Sequence, residues 1–205
     1  MLLAIDTSAG TSVAVVDRDA GVLAEVTETD TRRHAEVIGT MITAALDESG
    51  IAVTDLSGVA VGMGPGPFTG LRVGIAAARA FALGIGRPVV PVVSHDAVAF
   101  GLTVPTLVVT DARRREVYWS TYTGTDADGL PIRTDGPGLS APDHLAAEVP
   151  GFASFDRLDA GVVSAASLGL IAELLYLHGR AFAGSEALYL RSPDVTLSAG
   201  PKRVS

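Results

Sequence analysis

The amino-terminal segment carries a carboxylate followed by small hydroxyl residues. Asp6 stands at the end of the apolar run Leu2–Ile5, and Thr7, Ser8 and Thr11 follow it around a turn that contains glycine. A carboxylate and hydroxyl groups in this order can hold a phosphate together with a metal ion. A hairpin turn with polar residues has the same composition and is far more common. The segment alone therefore leaves two interpretations open, a phosphate site and a simple turn.

A second segment, Gly62–Gly70, is rich in glycine and proline and precedes an apolar stretch. A glycine-rich turn that opens a helix directs free N–H groups at an anion. Here Pro65 and Pro67 have no N–H, and no lysine lies nearby. The sequence therefore favours a rigid loop that fixes the helix, with Thr69 as the N-cap. The residues assigned to this structural loop are Gly64, Pro65, Gly66, Phe68, Thr69 and Gly70.

The third polar segment, Asp111–Glu116, contains three consecutive arginines between two carboxylates. Such a cluster can bind an anion or an acidic partner. It can equally form a solvated hairpin turn, which is the default interpretation. The segment has no glycine, so a phosphate cannot approach its backbone closely.

The histidines form no recognisable catalytic or metal pattern. His34, His95, His144 and His178 are scattered along the chain. Ser94–Asp96 reads Ser-His-Asp, but consecutive side chains cannot stack into a nucleophile relay. We therefore expect all four histidines to be solvated or hydrogen-bonded, with no metal bound.

Composition narrows the class of protein further. The 205 residues are 48% hydrophobic and 19% charged, and the mean hydropathy is +0.38, which indicates a chain with a buried core. The formal net charge of −8 argues against direct contact with nucleic acid, because an acidic protein repels the phosphate backbone. The absence of cysteine excludes disulfides, zinc–thiolate sites and iron–sulfur clusters.

Hydropathy along the chain also bears on location. No continuous apolar run approaches the ~20 residues that a membrane-spanning helix needs. The first residues, MLLAIDTS, lack the basic region of a secretory signal. We therefore expect a cytoplasmic protein without membrane contact.

The pattern of apolar and turn residues predicts an α/β protein. The first thirty residues indicate three short strands, and apolar residues at helical spacing predict helices over His34–Ser49 and Leu71–Leu83. Thr103–Thr110 is expected to be a strand that opens a second half. Thr123–Pro142 is expected to be mostly loop, apart from a short central strand, because of its Gly, Asp and Pro content. Ala165–His178 is predicted to be a helix.

Two lobes are expected from this order of elements. The N-terminal lobe would span residues 1–102, and the C-terminal lobe would span residues 103–192. Residues 193–205 are expected to be a loose tail, as chain ends often are.

Four segments taken together resemble the TsaB (YeaZ) family. In chain order they are LLAIDTS, GMGPGPFTGLRVG, DARRREVY and ALYLRSPDVT. The resemblance spans most of the chain and is strongest over Gly64–Gly74. It implies an actin/sugar-kinase-like (ASKHA) fold with two similar α/β lobes.

The resemblance also implies a function. Proteins of this family are non-catalytic subunits of the bacterial machinery that forms N6-threonylcarbamoyladenosine on tRNA. They bind a TsaD-like catalytic subunit, a TsaE-like ATPase joins the complex, and a homodimer is expected when the chain is alone. The contact is implied to lie on the first two helices, here His34–Ser49 and Leu71–Leu83. The residues predicted to bind the partner are Val37, Ile38, Met41, Ile42, Ala45, Arg72, Ile75, Ala76 and Arg79.

The chain departs from an active member of this fold at three places. His95 and Ala99 stand where a TsaD-like subunit is implied to carry its pair of metal-binding histidines. Asp111–Arg115 replaces a glycine-rich phosphate turn, and Pro150–Val163 is a poor match to a further strand and glycine turn. We therefore expect an abridged second lobe with no catalytic residue, metal or cofactor. The vestigial phosphate site would comprise Asp6, Thr7, Ser8 and Thr11.

Two function classes remain open at this point. The leading hypothesis is a scaffold that binds a catalytic partner. The alternative is an ATP-dependent phosphotransferase or ATPase of the same fold, in which Asp6 would hold magnesium and Thr11 or Ser12 would contact phosphate. A metallopeptidase would need metal ligands that the sequence does not supply.

Overall fold

The computed structural model describes residues 1–191, and the first half of them forms a five-stranded sheet. Strands β1 (Leu2–Asp6), β2 (Thr11–Asp17) and β3 (Gly21–Glu28) make an antiparallel meander. Strands β4 (Gly58–Gly62) and β5 (Val89–Val92) extend it in parallel, giving the order β3-β2-β1-β4-β5. β1 and β4 are buried along their whole length, because both faces of the sheet are covered.

Three helices cover this sheet. Helices α1 (His34–Ser49) and α2 (Phe68–Ile85) lie on one face, and α5 (Ala165–Leu177) lies on the other. Successive side chains of a strand point to opposite faces, so the two cores alternate along β1 and β2. The core with α1 and α2 takes Leu3, Ile5, Val13 and Val15. The core with α5 takes Leu2, Ala4, Ala14 and Val16.

The second sheet has four strands. Strands β6 (Thr106–Arg113), β7 (Glu116–Thr125) and β8 (Pro131–Ser140) form an antiparallel meander. Strand β9 (Asp156–Asp159) pairs in parallel with β6, giving the order β8-β7-β6-β9. The two sheets share the arrangement of a meander followed by a parallel strand, and the second sheet has one strand fewer. The predicted α/β, actin/sugar-kinase-like class is confirmed.

Two short α-helices complete the α-helices in residues 1–191, and two 3-10 helices lie at Val53–Asp55 and Phe152–Ser154. Helix α3 (Ser94–Ala99) follows β5, and α4 (Leu145–Glu148) lies between β8 and β9. The expected loose tail, residues 193–205, lies outside the described residues.

The prediction that Thr123–Pro142 is mostly loop was wrong. β7 continues to Thr125, and β8 occupies ten residues of this stretch. Glycine suggested a loop here, but Gly138 serves packing: a Cβ at this position would lie 2.4 Å from the Trp119 ring. Close approach of a ring to a backbone thus explains this glycine in a strand.

Two smaller expectations also need correction. Thr69 is not the N-cap of α2; the helix begins at Phe68, Pro67 occupies the cap position, and no side chain caps it. The φ of −60° at Pro67 suits the start of a helix. The segment Pro150–Val163, which matched the family poorly, contains β9. This strand lies at the edge of the sheet and pairs only with β6, so most of its residues are exposed and polar. The sequence therefore showed no apolar strand pattern there.

Helix α2 has the length and composition that a membrane span would need. Its 18 residues have a mean hydropathy of 1.4. The search for continuous apolar runs did not find this helix, because glycine and arginine interrupt its apolar residues. In this structure 33% of the stretch is buried inside the protein, where α2 contributes Leu71, Ile75 and Ala78 to the core. No other helix within residues 1–191 meets these criteria.

A buried histidine connects helix α3 to the second sheet. His95 in α3 has a fully buried side chain. Its Nδ1 lies 2.8 Å from Ser120 Oγ on β7, and its Nε2 lies 2.9 Å from Thr110 Oγ1 on β6. Burial, with a smaller contribution from the Arg133 charge, lowers the pKa of His95 from 6.5 to about 3. The ring is therefore neutral in the folded protein near neutral pH. Its hydrogen bonds agree with the expectation that the histidines are solvated or hydrogen-bonded.

We predict that His95 makes the protein less stable in acid. Its pKa is about 3 in the folded state and 6.5 in the reference state. Between these two pKa values the unfolded chain binds a proton at His95 and the folded chain does not. Acid therefore favours the unfolded state, and the stability present above pH 6.5 is lost as the pH falls. Between pH 7.5 and pH 4.5 the loss from this group is about 2 to 3 kcal/mol. Urea denaturation at several pH values measures it.

The variant His95→Gln isolates the effect. It should be less stable than the parent at pH 7.5 but should lose less stability on acidification. Asp6 and Asp96 have pKa values raised by burial and act in the opposite direction, but both remain in the variant. His144→Gln, on the exposed surface, is the matched control and should follow the parent. Equal acid sensitivity of the parent and His95→Gln would contradict the assignment.

Candidate functional site

The carboxylate of Asp6 is enclosed at the end of β1. Its Oδ1 accepts hydrogen bonds from Ser8 N (2.8 Å) and Ser8 Oγ (2.6 Å), and its Oδ2 accepts one from Ser94 Oγ (2.6 Å). The residue is 1% exposed, and burial raises its pKa. A Cβ on Gly62 would lie 1.8 Å from Asp6 Oδ2, so only glycine fits beside the carboxylate. Both oxygens are engaged inside the protein.

The neighbouring threonines attach the two large helices to the sheet. Thr7 Oγ1 donates to the Gly70 carbonyl (2.7 Å) and accepts from the Gly74 amide (3.1 Å), which seats the first turns of α2. A Cβ on Gly74 would lie 2.2 Å from Thr7 Oγ1. Thr11 Oγ1 lies 2.7 Å from Nδ1 of His34, the first residue of α1. All four residues of the predicted vestigial phosphate site are thus buried, and each forms a hydrogen bond with another group of the protein.

The glycine- and proline-rich loop is held from three directions. Ser94 Oγ accepts from the Gly64 amide (3.0 Å), and the Ser94 amide donates to the Gly64 carbonyl (2.8 Å). Gly66 lies against Ser8, since a Cβ there would be 2.8 Å from Ser8 Cα. From the second sheet, the Tyr118 hydroxyl donates to the Gly66 carbonyl (3.2 Å). Gly64, Pro65, Gly66 and Gly70 are buried, Phe68 is half-buried and Thr69 is exposed.

The predicted partner-binding residues divide by exposure. Met41, Ala45 and Ile75 are buried in the core beneath α1 and α2. Val37, Ile38 and Ile42 are half-buried and pack against the same core. Arg72, Ala76 and Arg79 are exposed and lie at positions i, i+4 and i+7 of α2. The exposed part of the predicted surface is therefore on α2.

A feature that the sequence did not reveal lies beside this surface. The carboxy-terminal segment (residues 183–191) returns from α5 and runs along the first lobe. The Ala183 amide donates to the Pro91 carbonyl (3.1 Å), and the Leu188 amide donates to the Met63 carbonyl (2.8 Å). Arg79 Nη2 donates to the Ser185 carbonyl (2.6 Å). The segment lies in irregular backbone, so periodicity gave no signal, although it contains part of the ALYLRSPDVT motif.

Arg72 is stacked on one aromatic ring and lies near a second. Its Cζ lies 3.6 Å from the centroid of the Phe68 ring and 5.9 Å from that of the Tyr189 ring. The two ring centroids are 4.5 Å apart, and Arg72 Nε donates to the Tyr189 hydroxyl (3.3 Å). Such cation–π contacts orient a guanidinium without neutralising it. Between α2 and the carboxy-terminal segment lies a groove of about 350 Å³, whose lining includes Arg72, Ala76, Arg79, Glu186 and Tyr189.

A second cavity, of about 440 Å³, lies where the two lobes meet. Its lining includes Ser8, His34, Thr69, Asp111 and Arg113. Arg113 Nη1 forms an ion pair with Asp111 Oδ2 at 3.6 Å, and burial together with the Arg113 charge lowers the pKa of His34. Within residues 1–191 no group of three His, Cys, Asp or Glu side chains could hold a metal ion.

The arginine turn between β6 and β7 has an unusual backbone. Arg113, Arg114 and Arg115 have φ values of 66°, 54° and 62°, in the left-handed region that favours glycine. Tight hairpin turns of this kind normally use Asn-Gly or Asp-Gly. The absence of glycine noted in the sequence therefore leaves a strained turn at the rim of the cavity between the lobes.

Comparison with known proteins shows which family the chain resembles. A sequence model of the family described as "TsaD: tRNA N6-adenosine threonylcarbamoyltransferase" matches residues 15–130, more than half of the chain. An uncharacterized protein of Mycobacterium tuberculosis is 47% identical over 142 residues, which cover 68% of this chain and 64% of the relative. The Escherichia coli "tRNA threonylcarbamoyladenosine biosynthesis protein TsaB" is 36% identical over 126 residues, covering 59% of this chain and 54% of TsaB. The matches thus span less than two thirds of these curated relatives.

A solved structure extends the similarity to nearly the whole chain. A Pseudomonas aeruginosa protein described as similar to peptidase YeaZ superposes with a TM-score of 0.73 at 25% identity, covering 93% of this chain and 99% of that chain. The resemblance found in the sequence motifs is therefore confirmed. This chain belongs to the TsaD (tRNA N6-adenosine threonylcarbamoyltransferase) family and, within it, is similar to TsaB (YeaZ).

Proposed function

We propose that this chain is a non-catalytic subunit in the formation of the threonylcarbamoyl group on adenosine 37 of tRNAs, and that it acts by binding a TsaD-like catalytic subunit. The involvement in this modification is supported by the similarity to TsaB, a named biosynthesis protein for the modified nucleoside. The non-catalytic role is supported by one structural observation above all. The oxygens of Asp6 and the hydroxyl of Thr7 form hydrogen bonds within the protein that seat the loop and α2.

The surface proposed for the partner is the exposed side of α2. Arg72, Ala76 and Arg79 share this side, and Leu83, which is 83% exposed, lies near its end. A small side chain between two long ones allows a second helix to approach closely. An ordinary interface would bury about 800 Å² on each partner. Residues of α1 that are buried in the core would act by holding α2 in place.

The remaining partners and the location stay proposals of the same kind. They comprise a homodimer when the chain is alone, a TsaE-like ATPase that joins through the complex, and a cytoplasmic location without membrane or direct nucleic-acid contact. The formal net charge of −8 supports the absence of direct contact with tRNA, because like charges repel.

The substitution Ala76→Glu tests the proposed surface. A long charged side chain in the middle of the exposed side of α2 would fill the groove and require desolvation at an interface. We expect the affinity for the TsaD-like subunit to fall at least about tenfold, equivalent to about 1.4 kcal/mol. Because Ala76 is exposed, the melting temperature should change little. Isothermal titration calorimetry with the TsaD-like subunit of the same organism measures the affinity.

Ala146→Glu is the matched control. Ala146 is exposed on α4 in the second lobe, so the same change there should leave the affinity within about twofold of the parent. If the parent itself fails to bind the TsaD-like subunit at micromolar concentration, the proposed function is wrong. If both variants bind like the parent, the surface is wrong.

The alternative function, an ATPase or phosphotransferase, is tested at Asp6. In Asp6→Asn the amide nitrogen cannot accept the hydrogen bonds that Ser8 and Ser94 donate. We expect the free energy of unfolding to fall by about 2 kcal/mol, and we expect neither the parent nor the variant to hydrolyse ATP above the blank. Urea denaturation and a phosphate-release assay measure the two quantities.

A core variant of similar stability provides the control for this experiment. Val108→Ala removes two methyl groups from a fully buried position far from Asp6 along the chain, at a cost of about 2 kcal/mol. ATP turnover that Asp6→Asn abolishes and Val108→Ala retains would establish the enzyme and exclude the non-catalytic role.

A further inference from the structure

The arginines of α2 differ from most others in the electrostatic partners they have. Arginines in the described part of the chain commonly pair with carboxylates, as seen for Arg18, Arg32, Arg33, Arg113, Arg133, Arg157, Arg180 and Arg191. Arg72 and Arg79 instead contact a hydroxyl and a carbonyl oxygen, on Tyr189 and Ser185. Glu186 lines the same groove but forms no ion pair with either arginine. Neither arginine is therefore part of an ion pair within residues 1–191.

The neutral contacts hold these two charges in place. Arg72 is stacked on Phe68 and next to Tyr189, and only its Nε donates to the Tyr189 hydroxyl. Arg79 uses one Nη to reach the Ser185 carbonyl. The other guanidinium N–H groups of both residues have no protein acceptor in the described chain. A guanidinium that is already oriented loses less freedom when it binds a carboxylate.

The groove is lined by two positively charged side chains and by small apolar and aromatic ones. The arginines are seven residues apart on α2, about 10.5 Å along the helix at 1.5 Å per residue. Ala76 lies between them, and Ala187 and Tyr189 form the facing wall. This combination fits a protein helix with two acidic side chains, because such a helix can also place apolar side chains against Ala76 and Ala187. A nucleic acid carries a charge on every phosphate and is repelled more strongly by the net charge of −8.

We propose that the carboxy-terminal segment and α2 together form a docking groove for an acidic helix of the partner, with two carboxylates about two turns apart that pair with Arg72 and Arg79. This inference rests on the proposed function and names the chemistry of the partner surface. Tyr189 is a positioning residue in this arrangement, because it holds Arg72 and does not itself carry charge.

The first test changes the charge of each arginine. We expect Arg72→Gln and Arg79→Gln each to weaken binding of the TsaD-like subunit about tenfold, and to reduce the loss of affinity between 50 and 300 mM NaCl. Arg87→Gln is the matched control, because it removes the same charge from an exposed residue just beyond α2. It should bind within about twofold of the parent and keep the parent's salt dependence.

The second test addresses Tyr189. Tyr189→Ala should weaken binding several-fold, and adding Arg72→Gln to it should weaken binding little further, because both changes remove the same oriented cation. Tyr189→Phe keeps the ring but removes the hydroxyl that accepts from Arg72 Nε, so its affinity should lie between those of the parent and Tyr189→Ala. A tyrosine that served only folding would lower the melting temperature without changing the salt dependence of binding.

The outcomes separate this inference from the function on which it rests. If the parent does not bind the TsaD-like subunit, the proposed function fails. If the parent binds, and Arg72→Gln and Arg79→Gln bind equally well at both salt concentrations, the docking groove is wrong and the function stands. Binding of tRNA by the isolated parent that both substitutions abolish would also overturn the acidic-helix assignment.

Discussion

The hydroxyl of Thr7 is the contact on which the arrangement of α2 depends. It donates to the Gly70 carbonyl and accepts from the Gly74 amide, so one side chain binds two successive turns of the helix. The approach is so close that a Cβ at either glycine would overlap with Thr7. Together with the apolar contacts of Leu71, Ile75 and Ala78, these hydrogen bonds fix the orientation of α2 in which Arg72 and Arg79 are exposed.

The same physical constraint gives residues of a catalytic type a structural role in this chain. A buried carboxylate is tolerated only when hydrogen bonds replace its lost hydration. Asp6 has such bonds from Ser8 and Ser94, and through Ser94 it is connected to the Gly64 amide of the loop. The polar cluster at the end of β1 therefore joins a strand, a loop and a helix start. Its residue types resemble those of a phosphate site, but its hydrogen bonds connect parts of the protein to one another.

Features with strong local signals could be predicted from the sequence. The apolar periodicity of residues 34–49 and 71–83 indicated α1 and α2 nearly to their ends. Beyond the short strand expected at Pro131–Arg133, β8 was missed because Gly138, which suggested a loop, instead makes room for the Trp119 ring of the neighbouring strand. The carboxy-terminal segment was missed for a related reason. Its contacts with Arg72 and Arg79 are more than one hundred residues away along the chain, and no local pattern encodes them.

The position of α5 has a consequence for the order of folding. The last helix of the described chain covers one whole face of the first sheet, including Leu2 and Ala4 of its first strand. Until residues 165–177 leave the ribosome, that face has no cover, and the amino-terminal lobe cannot complete its interior. The face of the first sheet that α5 covers therefore stays open while the residues between that sheet and α5 are being synthesised.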